Sequence, residues 1–222
     1  MSLELIYFKA CPFAQRTLIA LAGLGLDFTK TLINPKQKPE WMFEVSPSGQ
    51  VPLLKVAGQS VLFDSSVICE YLNDTAKGKL LSADPLQRAQ QRSLVEFAGE
   101  CQMAFGGLIA AADEEKFNQV KASLLKKLNW LEGQVDAAGP LFAGGEMTMV
   151  DVAFAPLFLR MEHMQKVAVL FSADDLPKIS RWNGAVLGQK AVAESIEGDF
   201  APIFKMVVAS RGKDGFIHKR MS

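Results

Sequence analysis

Close to residue 80 the hydrophobic period of this chain changes, and the change calls for two units built differently. Before it, Leu3–Phe8 is a short apolar run ended by Lys9-Ala10-Cys11-Pro12. Phe13–Leu24 recurs at helical spacing through Leu18, Leu21 and Ala22, then stops at Gly23 and Gly25. Asp27–Ile33, with β-branched Thr29 and Thr31, reads as a second strand. A polar stretch with Pro35 and Pro39 leads to an aromatic turn at Trp41–Phe43. Val51–Val56 and Ser60–Phe63 form a hairpin around Ala57-Gly58, and Asp64–Leu72 returns to helical spacing. The order is β-α-β-α-β-β-α. Ala76–Pro85 breaks the pattern, and no strand pair follows it. Asp84 caps a helix opened by Pro85 that runs to about Ala112. Further helices are expected at Glu114–Ala137, Thr148–Met164, Leu176–Gly188 and roughly Phe200–Ala209. The expected class is α/β followed by all-α, divided as 1–78 and 84–222, without internal repeats.

Composition narrows the function. The 222 residues are 49% hydrophobic and 22% charged, enough apolar material for a packed core. Lys+Arg and Asp+Glu number 24 each, and a chain that lives on phosphate backbones would show a basic excess, so nucleic acid is not the expected partner. Apolar runs such as Val150–Leu159 stop far short of the roughly 18 residues of a membrane span, so no stable membrane insertion is expected. The N-terminal Met-Ser-Leu-Glu run has an acid where a secretory signal wants positive charge. Three cysteines, odd and sparse, read as free thiols in a reducing cytoplasm.

Cys11-Pro12 is the most informative dipeptide. Proline is tolerated at the first helical position, where its missing N–H has no intrahelical partner. Cys11 then stands at or beside the N-cap, where unpaired amides and the positive dipole end favour an anion. The expectation is a thiol that ionises below the ordinary value of about 8.5, helped by Arg16 and Lys9. A cysteine in this setting can also be inert core, but strand–Cys-Pro–helix favours a nucleophile. The residue three further on is Ala14 rather than a second cysteine, so an external thiol must resolve any mixed disulfide. Cys69 and Cys101 sit among apolar neighbours and are expected to be buried and structural.

Cys11-Pro12-Phe13-Ala14-Gln15-Arg16, Lys38-Pro39-Glu40-Trp41, Gly49-Gln50-Val51-Pro52, and Asp64-Ser65 ahead of Ile68-Cys69-Glu70-Tyr71-Leu72 together resemble cytosolic glutathione transferases. The nearest look is to the omega class, dehydroascorbate reductases and chloride-intracellular-channel-like proteins. The resemblance implies a thioredoxin-like domain followed by a helical one, with glutathione as co-substrate. It implies a cis Pro52, with the Val51 backbone meeting the cysteinyl part of glutathione. An X–Pro bond makes cis feasible at about 0.5–1 kcal/mol. Asp64 and Ser65 would hold the γ-glutamyl end, although omega proteins usually carry Glu where this chain has Asp64. Asp64 also reads as a plain N-cap. Lys38 would lie near the glycine carboxylate or backbone of glutathione, and Phe13 would contact the tripeptide. Thr148-Met149-Val150-Asp151 matches a family capping motif that serves folding.

Tyr7 is the rival to Cys11, because some classes use a tyrosine late in the first strand to stabilise the thiolate of glutathione for conjugation. Alternation with Leu3 and Leu5 also makes Tyr7 an ordinary sheet residue. The second-substrate pocket would draw on Arg160 and Trp182, with Cys101, Met103, Phe105 and His163 as candidates by position. Two histidines far from other ligands give no metal site. The basic tail Arg211-Gly212-Lys213…His218-Lys219-Arg220 is expected to be a solvated end, unlike the longer aromatic tail of omega proteins. The expected function is glutathione-dependent thiol transfer or reduction at Cys11, by deglutathionylation or dehydroascorbate-type reduction. Alternatives are Tyr7-assisted conjugation to electrophiles and a non-enzymatic binding or regulatory module. The family implies a homodimer.

Overall fold

The computed structural model describes residues 2–221. Its elements are β1 Leu3–Tyr7, α1 Pro12–Leu24, β2 Thr29–Leu32, α2 Trp41–Val45, β3 Leu53–Val56, β4 Ser60–Phe63 and α3 Ser65–Thr75. They are followed by α4 Pro85–Ile109, α5 Glu114–Glu132, α6 Met149–Gln165, α7 Pro177–Leu187, α8 Lys190–Glu194, α9 Phe200–Arg211 and α10 Phe216–Met221. The sheet order is β2-β1-β3-β4, with β1 parallel to β2 and antiparallel to β3. The expected class, α/β then all-α, is the architecture observed.

The two faces of β1 are divided by its alternation. Leu3, Leu5 and Tyr7 join the large core made with α1, α3 and the helical unit. Ile6 turns the other way and packs with Leu53, Ile33 and Met42, the last from α2. The aromatic turn expected at Trp41–Phe43 is thus a short helix whose Met42 covers the second face. Between β3 and β4, Ala57 (φ 52°) and Gly58 (φ 71°) both take left-handed backbone, which lets the Gln59 N–H close the turn on the Val56 carbonyl at 3.1 Å. Gly25 ends α1 in the same region, at φ 66°.

In the helical unit α6 is buried almost all round, and Asp151 on its first turn organises the neighbourhood. One carboxylate oxygen accepts from the Thr148 N–H and hydroxyl, both at 2.7 Å. The other accepts from the Phe142 N–H at 3.0 Å and the Trp182 indole N–H at 2.7 Å. Trp182 lies fully buried against Phe142, Phe154 and Phe158. It is core, not pocket lining. The expected pocket role fails because the indole N–H is spent on a buried carboxylate.

The C-terminal tail also departs from expectation. Gly212 and Gly215 let the chain turn back on the end of α4, and the Phe216 N–H donates to the Ala111 carbonyl at 2.9 Å. Ile217 is fully buried and the Phe216 ring meets Phe117 at 5.0 Å. Two apolar side chains therefore seat a segment whose charge alone read as solvated. Helix α5 ends at Glu132, ahead of Gly133, rather than at residue 137.

Candidate active site

The nucleophile candidate lies where β1 hands over to α1. Cys11 is the N-cap residue, with extended backbone (φ −76°, ψ 116°), and Pro12 opens the helix. Its half-buried side chain turns across to the β3 approach, where Sγ donates to the Val51 carbonyl at 3.6 Å. The Val51–Pro52 peptide is cis. Residues forty positions apart are thereby brought face to face.

Burial pushes the Cys11 thiol above its ordinary value, while the Ala14 and Phe13 amides, then the Arg160 and Arg211 charges, pull it back down. The expectation of a net lowered thiol is corrected. The amides at the helix start act as foreseen, but removal of the sulfur from water outweighs them. The cations differ too. Lys9 is drawn away to Glu197, at 2.9 Å. Arg16 is buried and stands over the Phe13 ring at 5.6 Å, its Nε without a hydrogen-bond partner.

Arg160 comes first among the charges that pull the Cys11 thiol down. Only 3% exposed, it stands behind the thiol rather than lining an open pocket as expected. Its Nη2 donates to the Ala10 carbonyl at 3.0 Å, and Nη1 donates to Gln15 Oε1 and the Pro156 carbonyl, both at 2.7 Å. Burial lowers its titration to about 10, partly opposed by Cys11. Gln15 continues the network, donating from Nε2 to Ser195 Oγ at 3.2 Å. The chain Ala10–Arg160–Gln15–Ser195 ties the Cys11 turn to α6 and to the end of α8.

Asp64 has φ 70°, a strained value for a residue with a Cβ, and its Oδ1 accepts from the Ser66 and Val67 amides at 2.9 and 3.4 Å. Its N-cap role is therefore present. Ser65 is buried beside it at the start of α3. Lys38 is half-buried with Nζ 5.9 Å from the centroid of the exposed Phe43 ring.

Tyr7 is engaged elsewhere. Its hydroxyl donates to Glu197 Oε1 at 2.7 Å, and Lys30 Nζ meets the same oxygen at 2.6 Å. Burial, then the hydrogen bond and charge of Glu197, push Tyr7 up to about 12. Lys30, Lys9 and Tyr7 hold Glu197 down at about 2. Glu197 and Ser195 carried no sequence signal, being polar residues with no motif around them, and Gln15, although inside the Cys11–Arg16 motif, was given no role of its own. Cys69 and Cys101 are fully buried, and burial raises them to about 11 and about 12. Among the described residues no cluster of His, Cys, Asp and Glu could hold a metal ion.

Residues 10–75 match the family model described as glutathione S-transferase, N-terminal domain, and residues 97–190 match glutathione S-transferase, C-terminal domain. A curated relative, glutathione S-transferase omega-1 of Sus scrofa, is 32% identical over 187 residues, 83% of this chain and 76% of that protein. Glutathione S-transferase DHAR2 of Arabidopsis thaliana is 32% identical over 68% of this chain and 67% of that protein. The solved structure of glutathione transferase Omega 3C from Trametes versicolor superposes with a TM-score of 0.80 at 25% identity, covering 90% of each chain.

Proposed function

From the premise that this chain belongs to the glutathione transferase family, we propose that it is an omega-like glutathione-dependent thiol transferase or reductase with Cys11 as nucleophile. The carrying observation is the placement of Cys11 Sγ at the N-cap of α1, 3.6 Å from the carbonyl beside a cis proline. Cys11 thiolate attacks the glutathionyl sulfur of a mixed disulfide, forming Cys11–S–S–glutathione and expelling the partner as a thiolate. A second glutathione thiolate then attacks that bond, returning the Cys11 thiolate and leaving as glutathione disulfide. Glutathione supplies both electrons.

In this reading residues 1–78 hold glutathione and residues 84–222 shape the second site. The Val51 backbone beside Pro52 serves the cysteinyl part, and Asp64 with Ser65 serves the γ-glutamyl end. Lys38 lies near the glycine end and Phe13 packs on the tripeptide. The Ala14 and Phe13 amides supply the donors that favour sulfur as an anion. No metal is required. Among the described residues no helix is long and apolar enough to cross a membrane, which fits a cytoplasmic setting. A homodimer is proposed through the exposed Phe63, Val67, Leu86 and Met103, apolar residues that water otherwise covers.

Reduction of a glutathione–hydroxyethyl mixed disulfide tests this, with Cys11→Ala expected to lose it. Full retention sinks the proposal. Incubation with oxidised glutathione, followed by peptide mass mapping, should find the glutathionyl group on Cys11.

A further inference from the structure

We propose that Phe43 is a positioning residue for glutathione, holding Lys38 and the backbone of residues 49–51 at one fixed spacing. This rests on the glutathione-dependent reading, in which Lys38 meets the glycine end and the Val51 backbone meets the cysteinyl part.

The core makes no use of the Phe43 ring. Its neighbours on α2, Trp41, Met42 and Val45, all join the second core with Ile6 and Leu53, and Val51 packs on that same core. Phe43 belongs to neither core and is 55% exposed. The edge of its ring lies instead on Gly49. A Cβ there would stand 2.4 Å from Cε1, 2.7 Å from Cδ1 and 3.0 Å from Cζ. Gly49 is buried at φ 53°, and its N–H donates to the Ser46 carbonyl at 2.9 Å. The absent side chain thus serves both the turn and the ring. Two residues on, the Val51 carbonyl accepts from Cys11 Sγ at 3.6 Å.

The same ring holds the Lys38 ammonium 5.9 Å from its centroid, within reach of a cation–π contact. Among the described residues this ammonium has no carboxylate within ion-pair distance. One ring therefore joins an unneutralised cation to the backbone that faces the thiol. A lysine left in water samples many rotamers, and ordering it on binding costs affinity. Against the ring it is confined before the ligand arrives, while its charge stays available to a carboxylate. The turn into Val51 is confined in the same way, by Phe43 at Gly49 and by the Met42 core at Val51 itself.

The test is the dissociation constant of S-methylglutathione, which cannot undergo disulfide exchange, measured by titration calorimetry. S-methyl-γ-glutamylcysteine, which lacks the glycine end, is the control ligand. Wild type, Phe43→Tyr, Phe43→Leu, Lys38→Met and the double variant Phe43→Leu/Lys38→Met are each first checked for an unchanged melting profile. Phe43→Leu should weaken S-methylglutathione by about threefold or more and the control by a smaller factor, through Val51 alone. Phe43→Tyr should keep the wild-type affinity for both. Lys38→Met should weaken S-methylglutathione in the wild-type background and add little to Phe43→Leu. Unchanged affinity for either ligand in Phe43→Leu overturns the proposal, as do equal losses for both ligands or additive losses in the double variant. A wild-type protein that binds neither ligand would instead overturn the glutathione reading itself.

Discussion

Arg160 and Ala10, 150 positions apart, are joined by a 3.0 Å hydrogen bond from Nη2 to the carbonyl immediately before Cys11. The helical unit thus holds the turn that carries the nucleophile. Arg160→Met should leave the Ala10 carbonyl and Gln15 Oε1 buried without their donor, at about 2–4 kcal/mol of stability. It should also move the alkylation midpoint of Cys11 further up, since one of the charges pulling it down is gone. Arg160→Lys should recover part of the midpoint but little of the stability, because one ammonium cannot span the same three acceptors. Chemical denaturation and the pH profile of Cys11 alkylation separate the two effects. An unmoved midpoint in a folded Arg160→Met protein would remove the electrostatic role.

Glu197 predicts behaviour at both ends of the pH scale. Its carboxyl lies at about 2 in the fold against an ordinary 4.5, so its contribution is present above 4.5 and is lost as pH falls toward 2. The side chain is about a third exposed, so the contribution is on the order of 1 kcal/mol. Tyr7 runs the other way. Raised from 10.0 to about 12, it contributes stability that is present below 10 and lost as pH rises through 12. Glu197→Gln should flatten the acid limb and bring Tyr7 back toward its ordinary value, though burial will keep it from returning fully. Ultraviolet absorbance titration of the two tyrosines reads this directly.

Much of the element order was legible because its signals are local. Cys11-Pro12, Asp84-Pro85 and Ala57-Gly58 each act within one turn of chain, and each stands where its pattern says. The family motifs made a cis Pro52 expected, and the peptide is cis. What could not be read is long-range. Nothing near Glu197 says that Tyr7, 190 positions earlier, will donate to it. The net shift of Cys11 depends on how deeply its sulfur is enclosed, which N-cap chemistry alone does not specify. Helices α8 and α10, of five and six residues, are too short for a period to register. Charge in the tail masked Phe216 and Ile217, the residues that seat it.

Trp182 separates stability from chemistry. Trp182→Phe should remove one of the donors to Asp151 and part of the packing among Phe142, Phe154 and Phe158. A loss of about 2–4 kcal/mol is expected, with the melting temperature falling accordingly. Specific activity per folded molecule should stay near wild type at a temperature where both proteins are folded. A large drop in kcat with unchanged stability would return Trp182 to the substrate pocket.

Gly212 tests the seating of the tail. Its φ of −122° suits any residue, so the constraint is space alone. A Cβ there would stand 2.0 Å from the Ile109 carbonyl oxygen, so either the end of α9 or the end of α4 must move. Gly212→Ala should therefore cost about 1–3 kcal/mol, while Lys213→Ala on the exposed side of the same turn should cost almost nothing. Loosening of α10 should appear as faster limited proteolysis between residues 209 and 216. Wild-type proteolysis in a Gly212→Ala protein of unchanged stability would mean that the tail holds its position without the close approach at Gly212.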